Sequence, residues 1–281
     1  MTVVSAPASA GDDHLAASPA RAGGLLRSTA RVGLLGLWSA LSFLLWLAGW
    51  LVAAGSARRR LRWRHWLLRR WARGVARLLG VRVAIVGQPP DAPFFLVANH
   101  LSYVDIILLY TQLDCVFIAK REMRGWPFLG FLAHVMDTIW VNRDSRRDAL
   151  RVLEDIDEAV ARGDGVVLFP EGTTSAGDGL LPMKPALFDW AARRDYPVHC
   201  AAITYRTEPG APPAHLTVCW WGDMTFGPHV RNLCRLRRFD ARIEFFAETI
   251  SAPDRTRLAG RARDAILGRF EPVVSTERLG P

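Results

Sequence analysis

The stretch Phe94-Phe95-Leu96-Val97-Ala98-Asn99-His100-Leu101-Ser102-Tyr103-Val104-Asp105 decides how this chain is read. Its first five residues form an unbroken apolar run of strand length, as expected of a strand buried on both faces. A second apolar stretch, Val104 to Tyr110, has helical length, and Ser102 stands where an N-cap belongs. An imidazole therefore sits at the end of a strand, and a carboxylate follows five residues on, in the first turn of a helix. That turn folds Asp105 back to hold one ring nitrogen of His100 and leaves the other to accept a proton. Such a pair suits a general base acting on an alcohol, because an imidazole of intrinsic pKa about 6.5 is largely neutral near pH 7. Taken alone, the spacing fits a capped loop with a hydrogen-bonded histidine better than a catalytic pair.

Two later segments bear on that choice. One is Lys120-Arg121-Glu122-Met123-Arg124-Gly125-Trp126-Pro127-Phe128-Leu129-Gly130, after an apolar run at Val116–Ala119. The other is Phe169-Pro170-Glu171-Gly172-Thr173-Thr174-Ser175. With Asn99-His100 and Asp105, these resemble, in order and separation, three signature blocks of the glycerolipid acyltransferases, the group containing the 1-acylglycerol-3-phosphate acyltransferases. The resemblance runs from about Val81 to Phe246. One departure stands out: the third block usually carries arginine where this chain has Thr174. The Thr-Thr-Ser version, followed by Leu181, Pro182 and the basic Lys184, looks like a bacterial branch that includes lyso-ornithine lipid acyltransferases.

The resemblance implies a mixed central sheet flanked by helices, of the glycerol-3-phosphate acyltransferase type, with an N-terminal membrane helix segment. It implies transfer of a fatty acyl group from a thioester, on coenzyme A or acyl carrier protein, to the free hydroxyl of a lysolipid. The first acceptor is 1-acyl-sn-glycerol-3-phosphate, giving phosphatidic acid; a lyso-ornithine lipid or another lysophospholipid is the alternative. His100 is then the base, with Asp105 fixing its tautomer. Lys120, Arg121, Arg143 and Lys184 are candidate phosphate contacts. Glu171 is a substrate-hydroxyl or site-organising group, and Gly172 and Thr173 shape a turn beside the site. Neither a metal nor a resident cofactor is expected, since the acyl thioester is a co-substrate. An ordinary surface role is the competing reading for Arg121, and helix capping explains Ser102 better than nucleophilic chemistry does.

Composition narrows the rest. A chain of 281 residues, half of them hydrophobic, has material for one substantial α/β domain plus an attachment segment. Cys115, Cys200, Cys219 and Cys234 show no C-x-x-C spacing, which fits reduced thiols rather than a zinc site or a disulfide frame. The net charge of +9 is concentrated: residues 57–77 hold nine arginines and no acidic residue. Just upstream, Val32 to Ala54 is an uncharged run of 23 residues. A helix of that length crosses a hydrocarbon core of about 30 Å, and it exceeds a signal-peptide core of about 7–15 residues.

Trp63, Leu67, Trp71, Val75 and Leu78 then recur at helical spacing, with Arg62, Arg69, Arg73 and Arg77 on another face. This is the pattern of a basic amphipathic helix at a membrane surface, or of a helix packed on the domain with a solvated arginine face. Arginine after the apolar run places the catalytic domain on the cytoplasmic side, at the cell inner membrane. A full span and a re-entrant hairpin both satisfy the sequence. Arginines beside an apolar membrane segment, with no recognition motif elsewhere, argue against a nucleic-acid partner. The arginines from Arg231 to Arg238 form a second candidate membrane contact.

The expected organisation is a disordered tail over 1–24, an attachment segment over 25–80, the acyltransferase domain over 81–271 and a loose tail over 272–281. Strands are expected near Arg82–Val86, Phe94–Ala98, Val116–Ala119, Thr138–Val141, Val166–Phe169, Cys200–Thr204, Leu216–Trp220 and Arg242–Phe246. The clearest helix starts at Ser145, carries Asp148 in its first turn and an inward stripe of Ala149, Val152, Leu153, Ile156 and Val160, and ends at Gly163. A final helix covers Arg255 to Phe270.

Overall fold

The computed structural model describes residues 20–53, 55–126, 129–142 and 146–275. Arg143, Pro127 and Ser145 lie outside these residues, as do the side chain of Ala149 and both chain ends. The helices are α1 (Ala20–Val52), α2 (Ala57–Leu79), α3 (Tyr103–Tyr110), α4 (Leu129–Val135), α5 (Arg146–Arg162), α6 (Asp189–Arg193), α7 (Ala214–Thr217), α8 (Phe226–Leu233) and α9 (Arg255–Leu267). The strands are β1 (Val81–Val86), β2 (Phe95–Ala98), β3 (Cys115–Lys120), β4 (Ile139–Val141), β5 (Gly165–Leu168), β6 (Val198–Thr207) and β7 (Phe239–Phe245).

These strands form one mixed sheet in the order β1-β7-β6-β2-β5-β3-β4. Among these seven strands only β6 and β7 pair antiparallel; β2 lies parallel to both β5 and β6. The uninterrupted apolar runs fall at the centre, where β2 and β5 are buried along their whole length. Because β2, β5, β3 and β4 are mutually parallel, their carboxyl ends share one edge. In open α/β sheets ligands bind at that edge. The three sequence blocks follow β2, β3 and β5, so the topology gathers them there.

Seven of the eight expected strands are present. The exception is Leu216–Trp220, where the chain forms α7 and a turn instead. A short, mostly apolar segment such as this does not distinguish a buried strand from a buried helix turn. Here Pro213 precedes the first helical residue, and the Thr217 hydroxyl bonds back to the Pro213 carbonyl at 2.9 Å.

The ends also differ from expectation. α1 begins at Ala20, so residues 20–24 are helical rather than part of a tail. Val273 N–H donates to the Gly177 carbonyl at 2.7 Å and Val274 is buried, so the chain just beyond Glu271 is packed rather than loose.

α1 and α2 form an antiparallel hairpin held by reciprocal indole bonds. Trp38 Nε1 donates to the Trp71 carbonyl at 3.0 Å, and Trp71 Nε1 donates to Ser39 Oγ at 3.1 Å. The Trp38 ring occupies the space a side chain at Gly74 would need. Outward, α1 exposes Leu34, Leu37, Leu41, Leu44 and Leu51, and the segment Gly24–Val52 is long and apolar enough to cross a membrane by length and composition.

α2 behaves differently from a free surface helix. Leu67, Leu68, Trp71, Ala72, Val75 and Leu79 are buried, and all but Leu67 join the main core, so its apolar stripe faces the domain rather than lipid. Several of its arginines are also engaged. Arg64 is buried and pairs with Asp164 and Asp137, Arg69 with Asp114 at 2.8 Å, and Arg73 with the Thr111 carbonyl.

Candidate active site

β2 ends at Ala98, and the next side chain extends the sheet's own pairing. Asn99 Nδ2 donates to the Ile203 carbonyl at 2.9 Å, and Ile203 N–H donates to Asn99 Oδ1 at 2.8 Å. This double bond to β6 fixes the chain just before His100. Ser102 then caps α3, with its hydroxyl accepting Val104 N–H at 3.3 Å. Asp105 completes the reciprocal cap by accepting Ser102 N–H at 3.0 Å. The cap therefore dictates where the Asp105 carboxylate lies.

From that position Asp105 Oδ2 also accepts Leu101 N–H at 2.7 Å and meets His100 Nδ1 at 2.7 Å. Its other oxygen, Oδ1, accepts the Tyr205 hydroxyl at 2.5 Å. Asp105 is fully buried, whereas the His100 side chain keeps partial exposure. With Nδ1 donating to the carboxylate, Nε2 is the acceptor nitrogen. The ring stacks on Phe169, with centroids 3.9 Å apart and planes 9° from parallel.

Glu171 closes the arrangement from behind. It is buried, and it accepts His100 N–H and Leu181 N–H, each at 2.9 Å. This carboxylate ties the third block to the backbone of the first. Burial pushes its pKa from 4.5 to about 7, against the pull of the two N–H bonds. Ser175 N–H donates to the His100 carbonyl at 3.1 Å, so both ends of the third block hold the histidine. Gly172 adopts φ 70°, which permits the tight turn, and Thr173 is exposed on it.

The candidate cations are spread around this centre. Lys120 ends β3 on the same sheet edge and is half-buried. Lys184 is exposed, with its N–H bonded to the Pro170 carbonyl at 2.9 Å. Arg121 is exposed, its guanidinium 4.0 Å from Asp148 on α5. Arg143 lies outside the described residues. His229, a second histidine nearby, is buried between the Tyr103 hydroxyl and the Cys219 carbonyl, and burial lowers its pKa to about 4. It is a satisfied core histidine.

His100 opens on an apolar cavity of about 650 Å³. α1, α2, α3, α4 and α8 contribute to its wall, through residues that include Leu35, Val75, Ile107, Leu132, Ala133 and Phe226. Its volume is in the range of ligand sites for drug-sized molecules, about 300–1,000 Å³. Sequence reading missed both this cavity and Tyr205. Only one signal pointed to Tyr205: a phenol inside the apolar run of β6 needs a hydrogen-bond partner.

A family model described as Acyltransferase matches residues 82–204. A lyso-ornithine lipid O-acyltransferase of Rhizobium meliloti is 34% identical over 241 residues, 75% of this chain and 82% of the relative. The chain belongs to the acyltransferase family. A lyso-ornithine lipid O-acyltransferase of Pseudomonas aeruginosa is 32% identical and covers 90% of this acyltransferase and 96% of its own length. A 1-acyl-sn-glycerol-3-phosphate acyltransferase of Neisseria meningitidis is 31% identical over 69% of the chain and 76% of the relative. The crystal structure of a 1-acyl-sn-glycerophosphate acyltransferase from Thermotoga maritima superposes with a TM-score of 0.62 at 18% identity, covering 89% of this chain and 95% of that one. That likeness establishes a shared fold.

Proposed function

We propose that this acyltransferase is a lysolipid O-acyltransferase that moves a fatty acyl group from an acyl-CoA or acyl carrier protein thioester to a free lysolipid hydroxyl. The observation that carries this is the imidazole of His100, held by a buried carboxylate at 2.7 Å and opening on an apolar cavity. His100 Nε2 takes the hydroxyl proton as the oxygen attacks the thioester carbonyl. The tetrahedral intermediate collapses, the carbon–sulfur bond breaks, and the departing thiolate receives the proton from His100. Asp105 holds the ring and offsets its transient positive charge. General base action of this kind contributes about 10²–10⁴-fold. The apolar cavity receives an acyl chain, and the turn at Gly172 and Thr173 forms a lip beside the reacting carbonyl.

Lyso-ornithine lipid is the favoured acceptor. Thr174 stands where a forked arginine would grip phosphate, and Arg121 is exposed near Asp148. Relatives named for lyso-ornithine lipid acylation cover most of their own length. The second reading, 1-acyl-sn-glycerol-3-phosphate, is supported by the Neisseria relative and by Lys120 and Lys184 near the site. Lys120, Arg121, Arg143 and Lys184 would then share the phosphate.

The apolar outer face of α1 attaches the protein to the bacterial inner membrane, with the catalytic domain in the cytoplasm, where acyl thioesters are made. The deciding experiment offers purified protein both acceptors side by side, each with acyl-CoA and with acyl carrier protein donors. Preferential acylation of lyso-ornithine lipid is expected. Turnover confined to 1-acyl-sn-glycerol-3-phosphate would favour the second reading, and turnover of neither would end both.

A further inference from the structure

Four guanidiniums crowd one cavity beside the N-terminal part of α1. Arg27 and Arg31, one turn apart on α1, and Arg237 and Arg238, in the turn before β7, line a space of about 440 Å³ together with Glu208. Among the described residues none of the four arginines forms an ion pair, and Glu208 faces Arg82 at 3.5 Å. Two of them are held in place. Arg27 donates to the Arg235 carbonyl at 2.9 Å, while Arg31 donates to the carbonyls of Leu236 at 2.5 Å and Arg237 at 3.1 Å. Like charges gathered around one cleft repel unless a counter-charge joins them. Guanidinium forks match the oxygens of a phosphate.

The location identifies the anion's source. Immediately after Arg31, α1 exposes Val32, Leu34, Leu37 and Leu41, the start of its long apolar face. A bilayer that receives this face brings its head groups to the level of the arginine cluster. No residue of the cluster lines the cavity at His100.

We infer that Arg27, Arg31, Arg237 and Arg238 form a binding site for the head-group phosphate of an anionic membrane phospholipid, separate from the acyl-transfer site. The site rests on the membrane attachment of α1 proposed above. It sets how the domain sits on the surface, because it ties the turn before β7 to the lipid plane at a point remote from the arginines that open α2.

The test uses the full chain and vesicles of phosphatidylcholine alone or with one part in three phosphatidylglycerol, at matched ionic strength. The wild type should partition about tenfold or more in favour of the anionic vesicles, each basic residue near the surface contributing about fivefold. The double variant R237Q/R238Q, altered only at exposed side chains, should lower that preference about tenfold or more, at about fivefold for each charge removed. Its binding to phosphatidylcholine and its acyl transfer to detergent-dispersed acceptor should not change. An anionic preference that survives in the variant would overturn the site and assign the effect to Arg58, Arg59 and Arg62. Equal wild-type binding to both vesicles would overturn it as well. A wild type that ignores phosphatidylcholine yet binds anionic vesicles through Arg237 and Arg238 would support the site and sink the attachment through α1.

Discussion

The Tyr205 hydroxyl donates to Asp105 Oδ1 at 2.5 Å, from a strand one hundred residues downstream of the carboxylate it holds. The two oxygens of Asp105 therefore divide their work. Oδ2 takes His100 and two backbone N–H groups, while Oδ1 takes Tyr205. Burial pushes the phenol well above its ordinary range, so it remains protonated and serves as a donor. His100 is thus the exposed end of a three-residue chain that begins in the core.

Replacing Tyr205 by Phe leaves a buried carboxylate oxygen without its donor, a loss of about 1–3 kcal/mol. Acyl transfer in Tyr205→Phe should fall about tenfold in kcat, with KM little changed. Steady-state kinetics beside urea denaturation check this. A variant that is merely less stable, with kcat unchanged, would reduce Tyr205 to a packing residue.

His100→Ala should lower kcat by about 10²–10⁴-fold while the fold stays intact, since the ring is partly exposed and its backbone bonds to Glu171 and Ser175 survive. Circular dichroism and vesicle binding check the fold, and a sensitive radiolabel assay checks the rate. Retained turnover would remove the base assignment.

Glu171 binds its proton more tightly in the folded chain, near pH 7, than in the unfolded one, near 4.5. Its contribution to stability is therefore fully present below about pH 4.5 and is lost as pH rises through 7, a swing of about 3 kcal/mol. In Glu171→Gln this decline should disappear. The amide would also present a donor to one of two backbone N–H groups, so activity should drop about tenfold. Urea denaturation of both proteins at pH 5 and pH 8 tests the first point.

Asp164 shows the opposite sign. Burial works to raise its pKa, but the hydrogen bond from His65 and the charges of Arg64 and Arg162 prevail and hold it at about 2. Its stabilising effect is present above about pH 4 and is lost as pH falls toward 2. Asp164→Asn, which leaves the buried Arg64 less well matched, should destabilise the protein by about 3–5 kcal/mol and loosen α2. Hydrogen exchange along α2 is the direct measurement.

Ala133 lines the cavity at His100 and is half-buried. Ala133→Phe should shorten the acyl chain the enzyme accepts, with long-chain donors losing more than about tenfold relative to short ones, since each excluded methylene forfeits about 0.8 kcal/mol. Competition between donors of different length reads this out.

The dyad was legible in the sequence because all its determinants lie within seven residues. A strand end, a Ser102 cap and a first-turn carboxylate permit few geometries. The bond from His100 N–H to Glu171 was not legible, because residues 71 apart meet only in the folded chain. At Leu216–Trp220 the helix turn that stands in place of a strand was not legible, because a segment of five residues is too short to carry a usable period. The stripe of α2 was visible, but whether it faced lipid or protein depended on whether α3 and α1 offered it a surface.

By itself the sequence determined the strands and helices that carry the three blocks, the apolar length of α1 and the pairing of His100 with Asp105. These depend on side-chain periodicity and on capping, which act within a few residues. Only the tertiary structure decided that Tyr205 anchors the carboxylate, that Glu171 binds the histidine backbone, that α2 turns inward and that four arginines share one cleft. Each of these joins segments far apart in the chain, and such contacts are set by how the sheet orders its strands and where the hairpin docks.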